Sequence, residues 1–492
     1  MPTRRAALRD RRRVEFGDWQ TPDALAEQVL ELLGRDAVAP QSVLEPTCGA
    51  GAFLAAASKQ FPAAALVGYD VSPAHVEAAT QRLPQGRGQI QLRDFFTVDW
   101  VQVLQGLAEP LLIIGNPPWI TNAALGALAG TNLPPKANFK AQSGFEALTG
   151  KSNFDVSEWM LIRLLQAARG RQFTLAMLCK ASVARRVMEF SASQGWQLSG
   201  TVRGIDARRH FAAEVDAVLL QLTHPQNLVS TTALDSELRW PVYPSLAASQ
   251  PTRLMGMVAG RVCSDVTAYL ETRGLAGESE LQWRSGLKHD CSSVMELQLR
   301  DGQWTNPLRQ PVEVEAEFLY PLLKGSDVAN GRMEPRRRVI VTQRQLGEDT
   351  LKLQTQAPKL WRYLSAHREQ LDRRKSKIYA AQPPFAVFGV GAYAFAPFKV
   401  AICGLYKRLA FRVVEPFTER PVMLDDTAYF LPCASRAQAE ELAAALSSPR
   451  ASAFFQARVF WDAKRPINKA LLQAISLERL LQTHLCRAAT DT

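Results

Sequence analysis

Short apolar runs alternate with amphipathic stretches through the first half of this chain, and then the alternation stops. Segments 42–45, 64–70, 90–96, 111–114, 173–179, 198–202 and 216–222 read as strands. Between them, helical spacing runs over 23–33, from the alanine-rich stretch after Gly51 to about Gln60, after Ser72-Pro73, and over 155–168 and 184–193. Thr21 is expected to cap the first helix, with Pro22 at its first position. Strands alternating with helices of this length predict an α/β, doubly wound, mostly parallel sheet.

After His224-Pro225 the rhythm disappears. Residues 226–250 are rich in Ser, Thr, Pro and Ala, which predicts a linker. From 251 onward, short mixed strands, many turns and clustered basic residues (Arg336, Arg337, Arg338; Arg373, Arg374, Lys375) predict a mixed α+β domain. Segments 434–446 and 468–485 predict a helical C-terminus. The expected organisation is a basic arm over 1–15, a catalytic domain over 16–225, a linker over 226–250 and a further domain over 251–492. A chain of 492 residues has room for these, since single cores rarely pass about 250–300 residues.

A formal charge of +11 points to a polyanionic partner. The seven cysteines show no C-x-x-C spacing, which argues against a disulfide framework and a structural zinc site. None of the six histidines sits in a metal-ligand pattern, so no metal is expected. No apolar run approaches the length of a membrane span, and no apolar segment follows the basic N-terminus, so the cytoplasm is the expected compartment.

The chemistry gathers around Asn116-Pro117-Pro118-Trp119, which leaves the end of an apolar strand. Two prolines fix their φ angles and remove two N–H donors, leaving nearby carbonyls as acceptors. Asn116 adds a side-chain acceptor and Trp119 a flat face, a combination suited to a planar, amine-bearing ring such as adenine. Upstream, a glycine-rich loop (Pro46-Thr47-Cys48-Gly49-Ala50-Gly51) follows the first strand without the pattern of a phosphate-binding P-loop. Glu45, Asp70 and Asp94 fall at three successive strand ends, where open α/β sheets bind ligands. Three such carboxylates fit a nucleoside cofactor with a positively charged centre.

The ordered set Phe16-Gly17-Asp18-Trp19-Gln20-Thr21-Pro22, then Leu44-Glu45-Pro46-x-Cys48-Gly49-x-Gly51-x-Phe53, then Asn116-Pro117-Pro118-Trp119 resembles the gamma-class adenine-N6 DNA methyltransferases of restriction–modification systems. The resemblance spans roughly residues 14–225. It implies the S-adenosylmethionine-dependent methyltransferase version of the doubly wound sheet, followed by a DNA target-recognition domain. It further implies that Thr21, Glu45, Gly49, Gly51, Asp70, Asp94 and Phe95 line the S-adenosyl-L-methionine site. Asn116 and Pro117 would accept from the target amine, Pro118 would border cofactor and base, and Trp119 would stack on the base. Phe211, in Arg209-His210-Phe211, is the candidate second aromatic, with an ordinary core position as its alternative. Where the family commonly carries tyrosine, this chain carries Trp119, which keeps stacking and excludes a role for a phenol oxygen. Segments 285–290 and 322–327 are similar to pieces of the family's recognition domains.

The expected reaction is methyl transfer from S-adenosylmethionine to the N6 amine of an adenine flipped out of double-stranded DNA, by in-line displacement. No nuclease constellation is legible after Leu222, so a cognate endonuclease, where one exists, is expected on a separate chain. Methylation of RNA or of a protein glutamine is the alternative, and the long basic second half argues against it. A DNA-binding protein that has lost catalysis is a third reading, opposed by intact Asn116 and Glu45.

Overall fold

The computed structural model describes residues 20–120, 155–224, 238–258 and 260–488. The basic arm and residues 16–19 of the first motif lie outside them. The chain divides into two compact units, Met1–Thr267 and Ala268–Thr492.

In the first unit, α1 (Asp23–Arg35) buries Leu25, Ala26, Val29, Leu30 and Leu33 along one face. It starts one residue later than expected. The Pro22 carbonyl accepts from Leu25 and Ala26, so Pro22 is the N-cap and Thr21 lies just outside. Then follow β1 (Ser42–Glu45), α2 (Ala52–Gln60), β2 (Ala65–Asp70), α3 (Pro73–Arg82), β3 (Gly88–Leu92), α4 (Trp100–Gln105) and β4 (Leu111–Gly115). After them come α5 (Val156–Ala167), β5 (Phe173–Lys180), α6 (Ala181–Ser193), β6 (Ser199–Ile205), α7 (Ala207–Phe211) and β7 (Ala217–Thr223). Three more strands, β8 (Arg239–Tyr243), β9 (Arg253–Val258) and β10 (Arg261–Cys263), complete the sheet.

Strand order is β10-β9-β8-β6-β7-β5-β4-β1-β2-β3. The five strands β5-β4-β1-β2-β3 are parallel. Strand β7 inserts antiparallel between β5 and β6. Strands β1 and β4 are buried throughout, as strands covered on both faces must be. The chain winds outward from β1 through β2 to β3, then returns to β4 on the other side of β1. That reversal opens a crevice at the carboxyl ends of β1 and β4.

Two boundaries differ from expectation. Part of the expected linker is β8, which pairs with β6 and β9, and the first unit runs on to Thr267. Trp240 holds β8 in place: it is fully buried and donates through Nε1 to the Leu198 carbonyl at 3.0 Å. Residues 225–237 lie outside the described ones. At the C-terminus, the single helix expected over 468–485 is broken into Lys469–Leu472 and Leu477–Ala488. Between them Ala474 and Ser476 bond to the backbone of Gly277 and Leu275, which excludes a continuous helix.

The second unit carries a four-stranded sheet and a five-stranded sheet. The segments singled out at 285–290 and 322–327 meet there. Glu296, buried, pairs with Lys324 at 2.6 Å and His289 at 3.3 Å. Six cysteines are described, all buried. Among the described residues, no helix is long and apolar enough to cross a membrane.

Candidate active site

The glycine-rich loop turns sharply because Gly49 (φ 49°) and Gly51 (φ 80°) take left-handed backbone. Space as well as conformation excludes side chains there. A Cβ on Gly51 would lie 2.9 Å from that of Ala79, and one on Gly49 would lie 2.5 Å from Gln20 Oε1. The loop is tied at three points. The Gly49 N–H donates to Asp70 Oδ2 at 2.8 Å, Ala50 N–H donates to Gln20 Oε1 at 2.9 Å, and Arg82 reaches the Ala50 carbonyl at 3.4 Å. Gln20, rather than the neighbouring Thr21, makes the polar contact with the loop. Its only signal in the sequence is its place between Trp19 and Thr21 in the first motif.

Asp70, at the end of β2, also accepts from Ser72 N–H at 2.8 Å and lies 3.3 Å from His75 Nδ1. Its two oxygens thus join the glycine loop to the start of α3. Glu45, at the end of β1, is buried, and its Oε2 has no hydrogen-bond partner among the described residues. Burial pushes its carboxyl well above the usual range; a backbone bond at Leu54 opposes this, and Asp70 adds to it. A buried carboxylate oxygen without a partner is costly, and a cationic ligand removes that cost. The residues therefore fit S-adenosylmethionine, which carries an ammonium and a sulfonium. Burial pushes the adjacent Cys48 thiol upward, which keeps it protonated.

Asp94 does not end a strand. Strand β3 stops at Leu92, and Asp94 closes a turn by accepting from Phe96 N–H at 2.9 Å. Phe95 is buried against Trp100 (4.6 Å between centroids) and Trp159 (6.1 Å). Asp94 and Phe95 thus begin an aromatic wall rather than standing alone.

Gly115 brings the end of β1 and the turn together: a Cβ on it would lie 3.7 Å from Glu45 Cγ. Beyond it Asn116 is half-buried with Oδ1 turned inside, Pro117 is buried and Pro118 half-buried. Trp119 donates through Nε1 to the Leu178 carbonyl at 3.4 Å, and its own carbonyl accepts from Lys180 Nζ at 2.9 Å. Phe211, the last residue of α7, meets Trp119 edge to face with 5.1 Å between centroids. Lys180 and Asp155 were not anticipated. The available signal was a lone charge ending the otherwise apolar strand 173–180. Among the described residues, no group of His, Cys, Asp and Glu could hold a metal ion.

No family model matches the chain. It is 40% identical over 484 residues to the type II methyltransferase M.NspV of Nostoc sp. (strain ATCC 29411 / PCC 7524), covering 97% of this chain and 99% of that relative. A shorter match, 32% identical over 114 residues, joins it to the type II methyltransferase M.CvrRI of Paramecium bursaria Chlorella virus XZ-6E, covering 23% of this chain and 27% of that one. Among solved structures, the type IIL restriction–modification enzyme MmeI in complex with DNA superposes with a TM-score of 0.52 at 14% identity. That match covers 94% of this chain and 65% of MmeI, and it is a likeness of fold. The chain belongs to the type II methyltransferases of restriction–modification systems and is a site-specific adenine-N6 DNA methyltransferase that draws its methyl group from S-adenosylmethionine.

Proposed function

We propose that Asn116 and Pro117 orient the target amine, that Trp119 and Phe211 hold the base, and that Glu45, Gly49, Gly51, Asp70, Asp94 and Phe95, with Thr21 beside them, hold the cofactor. The observation that carries this is the placement of Glu45 against Gly115, the residue before Asn116, in the crevice where strand order reverses.

Each role follows from the chemistry of the group. Glu45 offers a buried anionic oxygen to the cofactor's cationic portion. Asp70 keeps lone pairs for ribose hydroxyls while it braces the glycine loop, because a carboxylate offers about four acceptor sites. Asp94 suits the amine of the cofactor's adenine, and Phe95 a flat face beside it. S-adenosylmethionine, when bound, supplies an electrophilic methyl on a sulfonium. The exocyclic amine of adenine is a poor nucleophile because its lone pair is delocalised into the ring. Acceptance of both its hydrogens, by Asn116 Oδ1 and the Pro117 carbonyl, favours a pyramidal nitrogen whose lone pair faces the methyl. Catalysis is then mostly positioning.

The DNA partner is double-stranded in this reading, and the base must leave the stack at a cost of roughly a few kcal/mol. Stacking on Trp119 and Phe211 returns about 1–3 kcal/mol per base. We assign target recognition to the second unit, 268–492, and cleavage, where it accompanies modification, to a separate chain. Asn116→Ala tests the central role: it should lose methyl transfer and keep cofactor affinity, and retained transfer would refute the assignment.

A further inference from the structure

We propose that Lys180 is a positioning residue for methyl transfer, holding the Asn116–Trp119 turn in its productive shape through the Trp119 carbonyl. The inference rests on the reading of that turn as the amine-orienting element.

Pro117 and Pro118 have no N–H, so the turn contributes few donors with which to tie itself down. The ties come from β5. Gly115 pairs with Met177 in the parallel ladder, the Leu178 carbonyl accepts from the Trp119 indole, and Lys180 Nζ donates to the Trp119 carbonyl at 2.9 Å. The same ammonium donates to Asp155 Oδ2 at 2.6 Å. Asp155 is the N-cap of α5, accepting from Ser157 N–H at 3.2 Å and Ser157 Oγ at 2.6 Å. One residue on, Val156 N–H donates to the Ile120 carbonyl at 2.8 Å.

Lys180 therefore joins the far end of the turn to the start of a buried helix. Asp155 is 4% exposed and Lys180 21%, so the pair is little screened by salt. Neither residue is among those assigned to cofactor or base. The near end of the turn is fixed by the sheet and the far end by Lys180, so the Pro117 carbonyl and Asn116 between them are pre-set before substrate arrives.

Lys180→Met alone would strand the Asp155 carboxylate in a buried place. The double variant Lys180→Met/Asp155→Asn removes both charges and keeps a good N-cap, because asparagine also accepts from the helix N–H groups. Single-turnover methyl transfer to unmethylated DNA is measured alongside thermal melting and calorimetric affinity for S-adenosylmethionine. The double variant should fold, bind the cofactor within about twofold of wild type, and transfer methyl about 10²-fold more slowly. Lys180→Arg, which keeps a donor to the same carbonyl, should recover most of the rate. An unchanged rate in the double variant would overturn the proposal, as would a loss of cofactor affinity in proportion to the loss of rate. A wild-type protein that methylates no DNA would instead overturn the reading of the turn on which the proposal rests.

Discussion

The indole of Trp119 and the ring of Phe211 meet edge to face at 71°, 5.1 Å apart, although 92 residues (211 − 119) separate them along the chain. Trp119 follows β4, and Phe211 ends the short helix α7 before β7. Both are buried in one cluster with Ala207, Leu178 and Leu219. Edge-to-face geometry leaves each ring a face that is not used on the other.

That contact predicts the behaviour of Phe211→Ala. If Phe211 holds the flipped base, kcat/KM for DNA should fall about 10-fold or more, matching the loss of about 1–3 kcal/mol of stacking. Affinity for S-adenosylmethionine should be unchanged. Steady-state kinetics with calorimetry checks this. A variant that melts earlier yet keeps full kcat/KM would show that Phe211 is only core.

Glu45→Gln should separate stability from cofactor binding. Burial raises the Glu45 carboxyl in the folded protein above its unfolded value. The folded state thus holds a proton that the unfolded chain releases, so this group's stabilising contribution is full below the ordinary carboxylate range. It is lost as pH rises through the folded value. At pH 7 the ligand-free Glu45→Gln protein should therefore melt higher, by about 2–4 °C per kcal/mol recovered. Its affinity for S-adenosylmethionine should drop about 10-fold through loss of the anion. Wild-type affinity should also weaken as pH falls through the folded value. Calorimetry and melting across pH 5–8 test both; unchanged affinity in the variant would remove Glu45 from the cofactor site.

Lys399 gives the second unit a pH signature of opposite sense. It is buried in the strand Phe398–Cys403, donates to the Ala396 carbonyl at 2.7 Å, and has Nζ 5.8 Å from the centroid of the Phe430 ring. Burial pushes its ammonium down to about 7. Between that value and the ordinary lysine value the unfolded chain binds a proton that the folded protein lacks, so stability rises with pH across the window. Lys399→Met should melt several degrees above wild type at pH 7, with the gap closing toward pH 10. A gap that stays constant with pH would contradict the buried, titrating amine.

What was legible in the sequence follows from what is local. Strand β1 and the start of α2 are readable because a short apolar run and a glycine turn announce themselves. The candidate residues on strand ends are readable for the same reason, and the structure brings Glu45, Asp70 and Asn116–Trp119 to the carboxyl ends of neighbouring strands. Long-range pairing was not readable. Nothing in Ala217–Thr223 announces that it will slip antiparallel between β5 and β6, and nothing in the Ser- and Thr-rich stretch before it announces that Arg239–Tyr243 will join the same sheet. Lys180 was invisible for a related reason: its role depends on β5 lying beside β4, which no local pattern states. Asp94 was misread by two residues because a strand and an Asx turn share the same apolar run.

The most direct test incubates the protein with methyl-labelled S-adenosylmethionine and DNA from a source lacking its modification, then digests the DNA to nucleosides. The account predicts label in N6-methyladenine, absent when Asn116 is replaced by alanine. Label in N4-methylcytosine, or in RNA or protein with none in DNA adenine, would contradict it.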